Sequence, residues 1–131
     1  MQNNKNSKIL IILFTADFYK YYYALNLAST YKATNKDVSI FYTGYAINFL
    51  SKYWKKYDRK KINNKLIKKK MPGYIEILGL CADLKVNFYF CNTALDFLNS
   101  SDTNFLHNIN IKSTPLYKIL NKYKNEQTIF I

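Results

Sequence analysis

The sequence predicts an α/β fold: a single three-layer α/β/α domain over residues 1–131, with a mainly parallel five-stranded sheet between the helices. Short apolar or aromatic runs, typical of buried parallel strands, alternate with segments whose apolar residues recur at helical spacing. The composition is 49% hydrophobic, which suffices for one core and argues against a disordered chain.

Five segments predict strands. The first, Lys8–Phe14, is continuous in Ile and Leu, as a strand buried on both faces of a parallel sheet requires. The other four are rich in β-branched and aromatic residues and are Val38–Tyr42, Val86–Phe90, Ile109–Ile111 and Thr128–Ile131. A strand, a helix and a second strand in this order predict a right-handed βαβ unit at the start of the chain.

Between these runs, apolar residues recur every three or four positions and predict helices. Asp17 is suited to cap the helix Phe18–Ala33, and Pro72 is suited to enter the helix Tyr74–Leu84. Asn99 is suited to end a helix in the left-handed conformation. The remaining predicted helices are Tyr45–Tyr57, Ala94–Leu98, a short helix through His107 that Ser101 or Asp102 caps, and one that begins at Thr114-Pro115.

A basic stretch, 58–70, contributes much of the formal net charge of +12. We expect a mobile loop or a weak helix here. Its lysines either form a basic rim that draws an anionic substrate or an acidic partner toward a site, or are simply a solvated charge run.

The overall charge favours an RNA or an anionic membrane surface as partner only weakly. Lys, Asn, Ile and Tyr are abundant while Gly and Pro are scarce, which is typical of an AT-rich coding sequence. Only one basic residue, Arg59, is an arginine, although arginine is favoured for planar recognition of phosphates and bases. Compositional bias is therefore the better explanation, and nucleic acid is not the expected partner.

The motifs of several enzyme classes are absent. The sequence contains neither of the glycine-rich loops that cradle nucleotide phosphates, nor a G-x-S-x-G elbow. Cys81 and Cys91 form no C-x-x-C pair, and with His107 as the single histidine we expect no metal site. The apolar run at 9–14 is too short to span a bilayer, so we expect no transmembrane segment. Two cysteines without a disulfide pattern suit a reducing compartment and predict a cytoplasmic protein.

Cys91 lies where a predicted strand passes into a predicted helix. At that position the unpaired N–H groups of the helix, such as those of Thr93 and Ala94, stabilise a thiolate, and strand ends are where open α/β sheets meet ligands. Cys91 is therefore the candidate reactive atom, although a small buried core cysteine is the commoner fate of the residue. Cys81 lies on an apolar helix face and is assigned to packing. No spacing places His107 beside Cys91.

These segments resemble the DsrE/DsrF-like family. Val38–Leu50 resembles its second strand and following helix, Met71-Pro72-Gly73 matches a motif of one branch, and Lys85–Cys91 resembles a strand that ends in cysteine. Leu95-Asp96 and the closing Thr128–Ile131 also fit. In two positions the sequence differs, because Lys85 and Asn99 stand where glycine is usual.

The resemblance implies a small sulfur carrier in which Cys91 holds sulfane sulfur as a persulfide or thiosulfonate and passes it to a partner. Asn92, Thr93 and Ala94 are then the candidate substrate-binding residues, and Asp96 a supporting one. The expected partners are sulfur donor and acceptor proteins or small sulfur compounds, with no cofactor. The resemblance also implies a homo-oligomer, a trimer or hexamer, with Tyr21–Tyr23 as candidate contacts. The alternative is a non-catalytic subunit or binding module with an unreactive cysteine.

Overall fold

A computed structural model describes residues 7–131. Its strands are β1 Lys8–Leu13, β2 Asp37–Tyr42, β3 Asn87–Phe90, β4 Ile111–Ser113 and β5 Gln127–Phe130. Its α-helices are α1 Phe18–Ala33, α2 Ile62–Lys68, α3 Tyr74–Asp83, α4 Asn92–Phe97 and α5 Leu116–Lys122. The strands form one parallel sheet in the order β4-β3-β2-β1-β5, which confirms the predicted α/β architecture.

The carboxyl ends of all five strands lie along one edge of the sheet, because every pairing is parallel. In the β1–β2 pairing, Lys8 lies opposite Asp37 and Leu13 lies opposite Tyr42. On the other side of β1, Ile9–Ile12 pair with β5. Segments that follow β1, β2, β3 and β4 therefore meet at this carboxyl edge.

Apolar side chains fill both faces of the sheet. Alternate residues of β1 point to opposite faces, so Ile9, Ile11 and Leu13 join the larger core and Leu10 joins the smaller one. The larger core includes buried residues of α1 and α3, and the smaller one joins Leu10 and Phe41 to Ile119 and Tyr123 of the α5 side. Helices therefore cover both faces, as the three-layer prediction requires. No helix within residues 7–131 is long and apolar enough to cross a membrane.

Three tyrosine hydroxyls form a chain of hydrogen bonds inside the larger core. Tyr42 donates to Tyr21 (2.8 Å), Tyr21 donates to Tyr74 (2.8 Å), and Tyr74 donates to the carbonyl of Phe49 (2.6 Å). Burial raises the pKa of all three tyrosines, so the chain stays protonated.

The expectation that Tyr21–Tyr23 form an oligomer contact is thereby corrected. Tyr21 and Tyr22 are buried in the core, and Tyr22 donates its hydroxyl to the carbonyl of Pro72. Only Tyr23 is exposed, because it points away from the core on the next position of the helix.

Four helices end in the same hydrogen-bonded turn. After α1, α2, α3 and α4, the residue at positive φ is Asn35, Lys70, Lys85 and Asn99 respectively. In each turn that residue and the next one donate N–H bonds back to the last helical turn, as in Val86 to Cys81 and Ser100 to Leu95. The left-handed conformation expected for Asn99 is confirmed. Lys85 adopts the same left-handed conformation, which glycine adopts at little cost.

The single helix predicted over Tyr45–Tyr57 is wrong. Two 3₁₀ helices, Gly44–Leu50 and Trp54–Tyr57, replace it, and Ser51 between them pairs with Phe105 in an antiparallel bridge. The backbone of Lys52 donates to Asn104, and that of Leu106 donates to Leu50. These long-range bonds use backbone groups that a continuous α-helix would need, so tertiary contacts override the helical spacing.

Smaller differences concern element ends. Within 58–70 the structure contains the seven-residue helix α2, so the weak-helix alternative is the one observed. The short helix predicted through His107 is a 3₁₀ turn over Asp102–Asn104 only. Strands β4 and β5 and helix α4 are shifted by one or two residues from their predicted bounds.

Candidate functional site

Cys91 lies between β3 and α4, as the sequence predicted, and occupies the N-cap position of α4 in an extended conformation. Its N–H donates to the carbonyl of Tyr42 (3.0 Å), and its carbonyl accepts from Leu95 (3.1 Å). The first bond continues the β2–β3 pairing and the second begins the helix. The backbone on both sides of the sulfur is therefore fixed, and the side chain is partly exposed.

The first turn of α4 leaves polar groups free beside Cys91. Within the described residues, no hydrogen bond engages the backbone N–H groups of Asn92, Thr93 and Ala94. Because α4 has only six residues, these local N–H groups, rather than a long helix dipole, supply the positive end.

A cavity of 820 Å³ opens at the carboxyl edge around Cys91. Its walls come from segments that follow four neighbouring strands: Phe14 after β1, 43–45 after β2, 91–94 after β3 and 113–116 at the end of β4. Three of the predicted site residues, Asn92, Thr93 and Ala94, line it with Cys91. The parallel sheet thus assembles the cavity from distant parts of the chain.

The rim of the cavity is apolar, and at one point on it Phe14 and Gly44 are in close contact. The ring of Phe14 lies against Gly44, which has φ +53, and a Cβ at this position would lie 2.4 Å from the ring. Glycine is therefore required here both for conformation and for space. Phe14 also contacts Tyr45 edge-on with ring centroids 5.9 Å apart. Phe97, at the cavity wall, is 72% exposed, so the rim offers apolar surface to a ligand or partner.

Polar contacts cross the cavity floor between α4 and β4. The side-chain amide of Asn92 donates to the hydroxyl of Ser113 (2.6 Å). Asn92 is therefore held toward β4, while its backbone N–H remains free. Ser113, Thr114 and Phe14 were not among the predicted site residues. The signal that could have found them is their position at or just after a strand end, since all such positions share one edge.

The other two titratable residues weighed beside Cys91 lie outside this cavity. Asp96 is exposed and does not line it, and its backbone carbonyl accepts from Asn99 (3.0 Å) at the end of α4. His107 is exposed and also does not line it. No residue of the basic stretch 58–70 lines it either. Residues 7–131 contain no group of three His, Cys, Asp or Glu side chains placed to hold a metal ion.

Cys81 has the environment of a packing residue. It is completely buried, and its thiol donates to the carbonyl of Leu25 (3.3 Å). Burial raises the pKa of this thiol from 9.0 to about 12. The assignment of Cys81 to the core is confirmed.

Comparisons with known proteins agree with this architecture. The family model described as DsrE/DsrF-like matches residues 8–129. No curated protein matches the sequence.

Among solved structures, the ychN protein from E. coli is similar over 95% of this chain and 99% of its own, with 15% identity and a TM-score of 0.68. BT1422 from Bacteroides thetaiotaomicron covers 95% of both chains, with 12% identity and a TM-score of 0.66. MTH1491 from Methanobacterium thermoautotrophicum covers 96% of this chain and 100% of its own, with 10% identity and a TM-score of 0.63. At these identities the similarity shows the fold.

Proposed function

The chain belongs to the DsrE/DsrF-like family, and we propose that it is a sulfur carrier that holds sulfane sulfur on Cys91 and passes it to a partner. The observation that carries this proposal is the position of Cys91. It is the one cysteine that lines a cavity at the carboxyl edge of the sheet, with free N–H groups beside it.

The chemistry needs only the exchange of sulfur–sulfur bonds. The Cys91 thiolate attacks the outer sulfur of a persulfide donor R–S–SH, a new sulfur–sulfur bond forms to Cys91, and the sulfur–sulfur bond of the donor breaks. The donor leaves as the thiolate R–S⁻ with the electron pair, and Cys91 becomes Cys–S–SH. An acceptor thiolate then attacks the outer sulfur and releases the Cys91 thiolate. No net oxidation occurs, so the cycle requires no cofactor and no metal.

Each predicted site residue has a place in this cycle. The N–H groups of Asn92, Thr93 and Ala94 stabilise the negative charge on the thiolate and on the persulfide anion. The apolar rim offers contacts to the non-reacting part of the donor. Asp96 does not contact the sulfur; it supports the site through its carbonyl, which helps to end α4.

The sulfur-carrier proposal also implies which partners the protein has and in which compartment it works. The donor and acceptor are proteins or small compounds that carry sulfane sulfur, as a persulfide or a thiosulfonate. Free thiols at Cys81 and Cys91 suit a reducing compartment such as the cytoplasm.

We propose further that the protein self-associates as a trimer or hexamer. Exposed apolar side chains near the cavity, which include Phe14, Phe97 and Phe130, are better candidates for contacts than the buried Tyr21 and Tyr22. Sedimentation velocity measures this directly, and a monomer at every concentration would contradict it.

One observation favours a second candidate, a non-catalytic subunit with an unreactive cysteine. Cys91 is only partly exposed and packs against both core clusters. In this case the sulfur fills space at the end of the sheet, and its reaction with any donor is slow.

Intact-mass measurement separates the two candidates. Protein incubated with an organic persulfide is expected to gain one sulfur atom, and a Cys91→Ser variant is expected to gain none. Cys81→Ala is the matched control and should gain sulfur like the wild type. No gain, or an equal gain in Cys91→Ser, would show that Cys91 is not a carrier.

A further inference from the structure

A second cavity of 690 Å³ adjoins the site. Its wall includes residues 16–20 at the start of α1, Asn48 of the first 3₁₀ helix and the segment 57–60 that precedes α2. We call it the basic cavity because Lys20, Arg59 and Lys60 line it. Cys91 and the Met71-Pro72-Gly73 motif are both outside it.

The acidic side chains of the basic cavity are engaged by backbone groups. Asp17 accepts the N–H of Lys20 (2.9 Å) at the start of α1. Asp58 is 5% exposed and accepts the N–H groups of Ile62 and Asn63, each at 2.9 Å. Both carboxylates therefore cap helices, and the lining has three cationic side chains against these two acidic ones.

The positive charge in this part of the chain is a local feature. Residues 52–70 contain ten of the 20 basic residues and one of the eight acidic ones, Asp58. All ten basic side chains are exposed. A compositional bias toward lysine acts on the whole chain, so it does not explain why half of the basic residues lie in this short segment. The positive potential is therefore concentrated along this segment, and two of its cations, Arg59 and Lys60, line the basic cavity.

One side chain joins the basic cavity to the cavity of Cys91. Tyr45 lines both, and 45% of it is exposed. Leu98, which directly follows α4, lies on the basic-cavity side. Tyr45 therefore borders both the cavity that contains Cys91 and the one that contains Arg59 and Lys60.

We propose that the basic cavity binds the anionic, non-reacting part of a low-molecular-weight sulfur donor, so that Cys91 selects carboxylate-bearing persulfides over neutral or cationic ones. This inference rests on the proposed sulfur-carrier function. The bonds that form and break are those of the persulfide transfer already described. Lys20, Arg59 and Lys60 position the donor and do not contact the reacting sulfurs.

Two alkylating agents with the same leaving group test the charge preference without any sulfur donor. Iodoacetate is anionic and iodoacetamide is neutral, and both modify the Cys91 thiolate. The rate with iodoacetate divided by the rate with iodoacetamide is normalised to the same quotient for a free cysteine peptide. This normalised ratio is expected to be about five at low ionic strength. The ratio should fall toward one as salt is raised, because the Debye length shortens.

Charge-neutral variants locate the effect. In Arg59→Gln/Lys60→Gln the normalised ratio is expected to fall to about one. The matched control is Lys36→Gln/Lys124→Gln, which removes the same net charge just before β2 and near the start of β5, at the opposite edge of the sheet. The control should keep the wild-type ratio. Equal ratios in the two variants, or a wild-type ratio of one, would overturn the proposal.

A donor experiment separates this inference from the proposed function. Rates of sulfur gain are compared between glutathione persulfide, which is anionic, and cysteamine persulfide, which is cationic. If both load Cys91 at equal rates, Cys91 is a carrier and the charge selectivity is wrong. If neither loads it while iodoacetate is still preferred, the carrier function is wrong and the basic cavity still favours anions. Faster loading by glutathione persulfide, lost in Arg59→Gln/Lys60→Gln alone, supports both.

Discussion

Cys81 and Cys91 are close in sequence and differ in almost every physical respect. Cys81 lies in the third turn of α3 and has no exposed surface, and its thiol donates a hydrogen bond to the carbonyl of Leu25. Cys91 follows β3, is partly exposed and borders a cavity with free N–H groups. The same side chain is thus a core residue in one place and a candidate nucleophile in the other. They differ in their position relative to the sheet: Cys81 lies within a helix, whereas Cys91 lies where the chain leaves a strand.

The comparison shows how the parallel sheet separates packing from chemistry. Residues on the inward faces of helices are covered by the sheet, and burial keeps their thiols protonated. Residues just beyond β3 instead border the cavity at the carboxyl edge of the sheet. The N–H groups of the following helix point toward that edge.

The largest difference is expected in reactivity toward iodoacetamide. Cys91 should react at least about a thousandfold faster than Cys81, because Cys81 reacts only when the core opens, which costs several kcal/mol. Peptide mapping by mass spectrometry measures both rates in one sample. Similar slow rates at the two cysteines would favour the unreactive-subunit alternative.

For the free energy of unfolding the order should be reversed, with the larger effect at Cys81. Cys81→Ala removes a fully buried sulfur and its contacts, and is expected to lower the free energy of unfolding by about 1–2 kcal/mol. Cys91→Ala removes a partly exposed sulfur and should cost less than about 1 kcal/mol. Urea denaturation of the two variants measures both values. A larger loss in Cys91→Ala would indicate that Cys91 is chiefly a packing residue.

The smallest effect is a dependence of stability on pH. The pKa of Cys81 is about 12 in the folded protein against 9.0 ordinarily, so above pH 9 the unfolded chain loses a proton that the folded protein keeps. Stability is therefore intact below pH 9 and falls as pH rises, by about 1 kcal/mol between pH 9 and 10 from this group.

The buried tyrosines add to the loss above pH 10, since their pKa values are also raised. Urea denaturation at pH 8, 9 and 10 measures the slope, and Cys81→Ala should flatten it between pH 9 and 10. An unchanged slope in Cys81→Ala would contradict the burial argument.

Both cysteine environments could be predicted from local sequence. The run that ends at Phe90 and the apolar residues at 94, 95 and 98 place Cys91 at a strand-to-helix junction, and the structure has this junction. The helical spacing around Cys81 likewise gave its burial. Such predictions succeed because backbone periodicity and burial are decided by near neighbours in the chain.

The walls of the cavity could not be predicted in the same way. Phe14 and Thr114 reach Cys91 only through the order of the strands, which depends on long-range pairing. The helix predicted over Tyr45–Tyr57 was wrong for a related reason. Its apolar spacing suits an α-helix, but the bridge from Ser51 to Phe105 interrupts the helical conformation. Local spacing carries no information about either contact.

The left-handed turns after the helices have a consequence for which residues the turns can accept. The sequence contains three glycines, and none of them lies at Asn35, Lys70, Lys85 or Asn99, where the backbone adopts the conformation that favours glycine. The surrounding helix and strand therefore dictate the turn, and the residue follows at a modest cost in strain. Glycine at any of these four positions is therefore compatible with the backbone conformation that the structure has there.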